Sequence, residues 1–318
     1  MPGAGRLSGK TALVTGATGF IGAALARRLQ GEGAVVHGLS RRPAPAGDAC
    51  DRWWTADLVD GDATRRVLDA ARPDLVFHLA SQVAGAREVE HVLPMLHANL
   101  VGTVNLLAAA AQPRGPRVLL AGSMEEPPTD GRWPVPASPY AAAKLAAGAY
   151  ARMFHALYGT PAVCLRIFMV YGPGQPDTRK LVPYVTTSLL RDEAPALSSG
   201  ARRVDWIYVD DVVEAFVAAA VAEGVEGRTI DVGSGELVTV RSVVERLVAL
   251  IRPSVAPRFG AVAERALEQE PVADPAPAAA LLGWRPRVPL DEGLRRTVAW
   301  YRELGRTPGV PKATGVSR

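Results

Sequence analysis

Three residues that together can move a proton stand near the middle of this 318-residue chain. Tyr140 and Lys144 lie four positions apart in SPYAAAKLAA, so in a helix they share one face. A lysine ammonium beside a phenol stabilises the phenolate, so we expect the pKa of Tyr140 to be lowered toward working pH. Ser123 ends the apolar run RVLLAGS and offers a hydroxyl. The set predicts proton transfer to or from a substrate oxygen.

The stretch VLLAGSMEEPP places a thioether and two carboxylates directly after Ser123. We interpret Glu125 as a base or as a ligand for a substrate hydroxyl. Met124 is interpreted as apolar lining, because a thioether cannot donate a proton. Glu126 is interpreted as structural.

A glycine-rich turn predicts dinucleotide binding. In VTGATGFIG, Gly16, Gly19 and Gly22 stand between a predicted strand and a predicted helix. One glycine permits a tight turn, one lets the backbone approach a pyrophosphate, and one lets the helix pack on the strand. Amides at the helix start then hold the phosphate charge.

The end of the second predicted strand bears on the type of dinucleotide. An NAD site usually has Asp or Glu there for the ribose hydroxyls. This chain has Ser40, Arg41 and Arg42, and a guanidinium favours the 2′-phosphate of NADP. We therefore predict NADP, with NAD as the alternative.

Strand and helix patterns alternate from Lys10 to Gly174, and the strands are apolar throughout. This predicts an α/β fold, a Rossmann-type doubly wound parallel sheet with a smaller, interleaved C-terminal substrate-binding domain. The predicted boundaries are 1–165 plus 204–236 for the NAD(P)-binding domain and 166–203 plus 237–318 for the substrate domain.

Composition narrows the functional classes. The net charge of +4 is dispersed in arginine pairs, which argues against a nucleic-acid groove. Cys50 and Cys164 lack metal-site spacing, so we expect a reduced compartment and no metal. We identify no signal peptide and no stretch near the ~20 apolar residues of a membrane span, so we expect a cytoplasmic protein without a membrane partner.

These motifs together resemble the extended short-chain dehydrogenases/reductases that act on nucleotide-diphosphate sugars. The resemblance runs from Lys10 to Glu303 and implies Ser123, Tyr140 and Lys144 as the catalytic set, with Glu125 beside them. It is carried by TGATGFIG, HLAS, Asn99, Ser123, YAAAK, VYGPG, VDWIYVDDVV, DVGSG, RALE and LGWRP.

The motifs and the resemblance together assign the binding residues. Cofactor contacts are predicted at Gly16, Thr18, Gly19, Phe20, Ile21, Gly22, Ser40, Arg41, Arg42, Asp57, Leu58, Leu79, Ala80, Ser81, Asn99, Tyr140 and Lys144. Contacts to a nucleotide-diphosphate sugar are predicted at Gln82, Met124, Glu125, Met169, Lys180, Arg203 and Arg265. The chain departs from the family pattern at Met169, where Asn is usual, and at Arg203, which stands one position before the usual arginine.

The reaction is predicted from the residues after Ser123. The family's 4,6-dehydratases resemble Thr-Asp-Glu or Thr-Ser-Glu there, whereas GSMEEP looks closer to the Gly-Ser-Ser-Glu-Glu of nucleotide-sugar 4-ketoreductases. We therefore favour a 4-ketoreductase of a nucleotide-linked 4-keto-6-deoxyhexose. A 4-epimerase or 4,6-dehydratase that retains its NAD(P) is the alternative, and a non-catalytic dinucleotide-binding sensor is a remote one.

Two predicted helices, around Val101 to Ala111 and Tyr140 to Tyr158, are apolar nearly all round. Their outer faces need a cover, and the family resemblance implies the same one. We expect a homodimer through a four-helix interface.

Overall fold

The computed structural model describes residues 5–45, 47, 49–83, 87–127, 135–264 and 267–305. The chain forms two compact units, each assembled from separate segments. The first unit comprises 1–168, 212–232 and 274–285, and the second comprises 169–211, 233–273 and 286–318.

The described elements mostly alternate between strand and helix as the sequence predicts, but β3, which the sequence analysis did not predict, follows β2 directly, and β7 and β10 likewise follow β6 and β9 without a helix. The strands are β1 Thr11–Thr15, β2 Val35–Ser40, β3 Arg52–Thr55, β4 Leu75–His78, β5 Arg117–Ser123, β6 Ala162–Ile167, β7 Met169–Tyr171, β8 Arg203–Tyr208, β9 Thr229–Val232 and β10 Leu237–Thr239. The helices are α1 Phe20–Gly31, α2 Gly61–Ala71, α3 Val89–Ala110, α4 Pro139–Tyr158, α5 Leu181–Leu190, α6 Val209–Val221, α7 Val240–Ile251, α8 Pro275–Leu282 and α9 Leu290–Leu304.

A seven-stranded parallel sheet forms the core of the first unit, in the order β3-β2-β1-β4-β5-β6-β9. Its central strands are apolar along their length and are buried on both faces, as parallel strands covered by helices must be. The strand order reverses between β1 and β4, which opens a crevice at their carboxyl ends. The prediction of a doubly wound Rossmann-type sheet is confirmed.

The second unit contains a three-stranded sheet in the order β10-β8-β7. β7 and β8 are parallel, whereas β10 is antiparallel to β8. The carboxylate of Asp205 in β8 is fully buried and accepts hydrogen bonds from the amides of Ser234, Gly235 and Ala273. It therefore ties the strand to two loops.

The observed units differ from the predicted domain boundaries. Residues 204–211 and 233–236 belong to the second unit, because β8 pairs with β7 and β10. Residues 166–168 and 274–285 belong to the first unit, where α8 packs on β9.

The expectation that no stretch approaches the length of a membrane span needs correction. α3 has 22 residues and a mean hydropathy of 1.4 in its most apolar window, so by length and composition it could cross a membrane. Core helices pass the same test. In α3 the buried polar side chains of Asn99 and Thr103 bond to the sheet and to the loop after β4.

Candidate active site

At two glycines of the β1–α1 junction, Gly16 and Gly22, there is no room for a side chain. Gly16 has φ +71°, and a Cβ there would lie 2.7 Å from the amide nitrogen of Ala80. A Cβ on Gly22 would lie 2.1 Å from the carbonyl oxygen of Gly16. These two positions require glycine, as the motif predicts.

The start of α1 fits the pyrophosphate of a dinucleotide. Its N-cap is Gly19, which has no side chain to bond the amides of the first turn. Thr18 lies in the turn before it, and Phe20 and Ile21 begin the helix. Free amides and the positive end of a 12-residue helix together favour an anion at this point.

Beyond β2, the chain closes a small turn. The Ser40 hydroxyl donates to the carbonyl oxygen of Arg42 at 2.6 Å and accepts from its amide at 3.1 Å. Trp53 Nε1 also donates to that carbonyl, at 3.0 Å. Arg41 and Arg42 are exposed, and among the described residues neither guanidinium has an ion-pair partner. Both can therefore reach an anionic ligand.

The turn after β3 is fixed by its own side chains. Asp57 is exposed, and its carboxylate accepts from the amide of Val59 at 3.0 Å. Leu58 is buried, and its carbonyl accepts a hydrogen bond from the side-chain amide of Asn105 at 2.9 Å. Both predicted cofactor positions thus lie on one ordered turn tied to α3.

A buried chain of hydrogen bonds links β1, β4 and α3. His78 lies with Nδ1 2.8 Å from the hydroxyl of Thr15 and Nε2 2.8 Å from the hydroxyl of Thr103. The Thr15 hydroxyl accepts from the amide of Ala80, and the Thr103 hydroxyl donates to the carbonyl of Asn99. Thr15 must therefore donate to His78, and His78 must donate to Thr103, so the neutral Nε2–H tautomer satisfies every member.

Burial is the main reason that the pKa of His78 falls to about 3, and the charge of Lys144 acts in the same direction. Neutral His78 holds the loop after β4, where the predicted cofactor residues Leu79 and Ala80 lie. The sequence indicated HLAS as a family motif, but only the structure identifies His78 as its anchor.

Asn99 fixes the next part of that loop. Its Oδ1 accepts from the Ser81 hydroxyl at 3.0 Å and from the Gln82 amide at 2.7 Å, and its Nδ2 donates to the Gln82 carbonyl. Asn99 lies in a π-helical turn, Leu96–Val101. Such turns re-aim side chains and are frequent at functional sites.

α4 carries the predicted catalytic pair on its inner face. The Ser138 hydroxyl caps the helix by accepting a hydrogen bond from the Ala141 amide at 3.0 Å. Pro139 follows at the first helical position, and this order is favourable for a helix start. Tyr140 and Lys144 are both buried against the sheet. The hydroxyls of Ser123 and Ser81 lie close enough to the Tyr140 phenol to lower its pKa, so the three predicted residues are in one place.

The expected lowering of the Tyr140 pKa is wrong for this structure. Burial raises the pKa of Tyr140 well above its ordinary value, and the carboxylates of Glu125 and Glu126 add to the rise, whereas the hydroxyls of Ser123 and Ser81 oppose it. The Lys144 ammonium donates to the Ala121 carbonyl at 2.8 Å and lies 5.8 Å from the centre of the Tyr140 ring. Burial also lowers the pKa of Lys144.

The two adjacent glutamates have entirely different environments. Glu125 is exposed and accepts from the Ser138 hydroxyl at 3.2 Å, so it stands at the mouth of the site beside the start of α4. Glu126 is buried beneath, and its carboxylate accepts from the Ser123 amide at 2.7 Å. Met124, which precedes both glutamates, is buried, and its amide donates to the Ile167 carbonyl of β6.

Three of the remaining predicted substrate residues, Met169, Lys180 and Arg203, belong to the second unit. Met169 is half-buried in β7 opposite Trp206, and Lys180 is half-buried at the N-cap of α5. Arg203 is exposed and engaged with Glu270, both through its guanidinium at 2.9 Å and through its amide at 2.7 Å. Val204, where the family usually has its arginine, is buried and faces the other side of the strand. Arg265 lies outside the described residues.

The geometry is that of a dinucleotide-dependent enzyme with a Ser–Tyr–Lys site. A family model described as "NAD dependent epimerase/dehydratase family" matches residues 12–233. The UDP-glucose 4-epimerase of Mycolicibacterium smegmatis is 33% identical over 310 residues, covering 91% of this chain and 98% of that protein. The dTDP-glucose 4,6-dehydratase of Neisseria gonorrhoeae is 29% identical, covering 92% and 95%.

Among solved structures, the NAD complex of Thermus thermophilus UDP-glucose 4-epimerase has a TM-score of 0.80 and 30% identity, covering 92% of this chain and 99% of that one. The chain belongs to the NAD-dependent epimerase/dehydratase family. It is an enzyme of this family of nucleotide-sugar epimerases and dehydratases, with an NAD(P) cofactor.

The role of His78 leads to a stability prediction. An unfolded histidine has a pKa of 6.5, whereas His78 in the fold has a pKa of about 3. Below pH 6.5 the unfolded chain therefore binds the proton more readily, and stability falls by about 1.4 kcal/mol per pH unit until the folded pKa is reached. Urea unfolding at pH 7.5 and pH 5.0 should show this loss, about 2 kcal/mol from this residue, in the wild type.

His78→Asn should be less stable at pH 7.5 but should lack this part of the pH dependence. His97→Asn, at an exposed position of α3, is the matched control and should retain it. An unchanged pH dependence in His78→Asn would contradict the assignment of a neutral, buried His78.

Proposed function

We propose that the protein is a nucleotide-sugar 4-epimerase that retains NAD(P) through its catalytic cycle. The observation that carries the proposal is the proximity of the buried Ser123 and Tyr140 side chains at the end of β5, next to a buried methionine instead of an acid. Similarity over almost the whole length of a UDP-glucose 4-epimerase supports it. It replaces the 4-ketoreductase that the sequence favoured.

The chain's own residues have distinct parts in this proposal. Bound NAD(P) supplies a hydride acceptor that becomes the donor in the second half of the cycle. Ser123 donates a hydrogen bond to the sugar O4, and Tyr140 takes the O4 proton and later returns it. The nearby hydroxyls of Ser123 and Ser81 favour the phenolate and oppose the effect of burial on the Tyr140 pKa. Glu125, at the mouth, accepts from a sugar hydroxyl.

Loss of water, as in a 4,6-dehydratase, needs an acid for the departing hydroxyl as well as a base. Glu125 can serve as a base. Met124 cannot donate a proton, and the Glu126 carboxylate is buried and bonded to the Ser123 amide. These contacts argue against the dehydratase.

A second candidate, an NADP-dependent 4-ketoreductase, is favoured by a different observation. Arg41 and Arg42 stand where an NAD site usually has an acid. Ser123, Tyr140 and Lys144 would serve the reduction of a 4-keto group equally well, but the reaction would consume one NADPH per sugar.

The decisive experiment offers the purified protein UDP-glucose, UDP-glucuronate and dTDP-glucose with a catalytic amount of NAD(P). We expect a 4-epimer from a UDP-sugar, detected by chromatography or NMR, with no net change in reduced cofactor. Tyr140→Phe should lower turnover by about 10²- to 10⁴-fold, because it removes the group that moves the proton.

Other products would overturn the proposal in identifiable ways. A 4-keto-6-deoxy product identifies a dehydratase. Stoichiometric NADPH consumption with a nucleotide-linked 4-keto-6-deoxyhexose, without epimerisation, identifies the reductase. Near-normal turnover by Tyr140→Phe would show that another group moves the proton, and no turnover of any substrate would favour the sensor.

We infer a preference for NADP(H) over NAD(H) from the two exposed arginines. A charge-assisted contact to the 2′-phosphate is worth roughly 1.5–3 kcal/mol, so fluorescence titration should give a more than tenfold preference. Arg41→Ala or Arg42→Ala should remove it without weakening NADH binding. Arg27→Ala, an exposed arginine later in α1, is the control. Equal affinities in the wild type would contradict the inference.

We propose that the enzyme is a homodimer through α3 and α4. These two helices pack together, and their outer faces expose Val89 at 82%, Leu157 at 67% and Leu93 at 64%. Exposed apolar side chains on adjacent helices are typical of an interface, and a second copy would complete a four-helix arrangement.

Light scattering at micromolar concentration should give twice the chain mass. The double variant Leu93→Glu/Leu157→Glu should be monomeric and folded, because a charge in an apolar interface has no partner. Val262→Glu, an exposed apolar residue of the second unit, should remain dimeric. A monomeric wild type would refute the dimer.

A further inference from the structure

Glu126 is the buried carboxylate closest in sequence to the proposed reacting pair, and the proposed reaction does not use it. It is 7% exposed. Its carboxylate accepts from the Ser123 amide at 2.7 Å, and its own amide donates to the Ser123 carbonyl at 3.0 Å. The turn from 123 to 126 is therefore closed from both sides.

Sheet register explains why Ser123 needs this bond. The last pair between β4 and β5 joins His78 to Leu120, so β5 continues three residues past its neighbour on that side. On the other side, Ser123 still pairs with Ile167 of β6. The Ser123 amide finds its acceptor in the Glu126 carboxylate instead of in a strand.

The fold leaves a space shaped for this carboxylate. A Cβ on Gly122 would lie 2.8 Å from Oε1 of Glu126 and 2.9 Å from the Cys164 sulfur. Any larger residue at 122 must therefore displace the carboxylate, the Cys164 sulfur or both. On α4, a Cβ on Gly148 would lie 3.7 Å from the other carboxylate oxygen, an ordinary contact.

The surrounding charges are mostly positive. Lys144 and Arg152 approach from α4 and Arg166 from β6, and all three favour the ionised form of Glu126. Arg166 is itself paired with Asp231, at 2.7 and 2.9 Å. The other titratable groups around Glu126 are Cys164 on β6 and, toward the active site, Glu125 and Tyr140. His78 on β4 faces Lys144.

We propose that Glu126 is a positioning residue for catalysis. Its carboxylate anchors the end of β5 so that the Ser123 hydroxyl meets Tyr140, and its charge balances the buried Lys144 ammonium. The proposal rests on the proposed function in that it takes Ser123 and Tyr140 as the pair that holds and moves the proton. It applies to the epimerase and to the ketoreductase alike.

The directions of the pKa shifts support this role. Burial raises the pKa of Glu126, against the Ser123 amide and the three cations. In turn, the Glu126 charge raises the pKa of both Tyr140 and Lys144. Removal of the charge alone should therefore move the ionisations of the Tyr140–Lys144 pair to lower pH.

The test compares two variants that separate charge from shape. Glu126→Gln keeps an oxygen that can accept from Ser123, and should move the acidic limb of the kcat–pH profile to lower pH by about 0.5 to 1 unit. Glu126→Ala also removes the anchor, and should lower kcat by about 10- to 100-fold with KM within about threefold. NAD(P) affinity should change by less than about twofold in both.

Gly122→Ala tests the anchor without replacing the glutamate itself. The added methyl group crowds the carboxylate and the Cys164 sulfur, so this variant should lose kcat in the same direction as Glu126→Ala. Glu32→Gln is the matched control, since Glu32 is a buried glutamate that accepts from a backbone amide, that of Arg6, far from the site along the chain. It should lower the melting temperature and leave kcat and the pH profile unchanged.

Hydrogen–deuterium exchange of peptides covering 117–127 makes the anchor measurable without turnover. Exchange at the end of β5 should rise in Glu126→Ala and Gly122→Ala, and should not rise in Glu126→Gln. Wild-type kcat and exchange in folded Glu126→Ala would overturn the proposal. If UDP-sugars are not epimerised, only the proposed function fails, because the same exchange pattern and the kcat–pH profile of ketone reduction still test Glu126.

Discussion

The burial of one ammonium group constrains most of this site. Lys144 is enclosed between α4 and the sheet, where an unpaired charge costs several kcal/mol. The Ala121 carbonyl and the Glu126 charge compensate it, and both belong to the segment that carries Ser123. Stabilising the lysine therefore also fixes the serine that faces Tyr140. Alanine and glycine on the inner face of α4 allow the close approach that this requires.

The two adjacent carboxylates after β5 have different roles because one is buried against the sheet and the other is exposed. Glu125 points to the mouth and is available to a substrate, whereas Glu126 turns under the strand and is used by the protein itself. Met124, between Ser123 and Glu125 in the chain, offers no proton. The same short turn thus supplies one exposed carboxylate, one buried carboxylate and no acid at position 124.

The sequence predicted what depends on local spacing. Gly16, Gly22, Tyr140 and Lys144 were found because a tight turn and one helical turn fix their relations within a few residues. The roles of His78, Thr15 and Thr103 depend on which strands become neighbours, and no local pattern contains that. Glu126 did leave a signal, since Ser123 and Glu126 have the Ser-x-x-Glu spacing of a capping box. The Tyr140 pKa was predicted in the wrong direction because proximity to lysine was considered and burial was not.

The charged residues after β2 and the overall similarity of the chain point to different dinucleotides, and this difference has a structural explanation. Arg41 and Arg42 favour a 2′-phosphate, yet the Thermus thermophilus epimerase of similar fold was solved with NAD. The turn after β2 is held by Ser40 and Trp53 through the backbone of Arg42, so neither arginine side chain is needed to fix it. Side chains free of a structural duty can change without cost to the fold. The two arginines behind the proposed NADP preference are thus exposed, whereas Lys144 and Glu126 near Ser123 are buried, so substitutions in one set need not disturb the other.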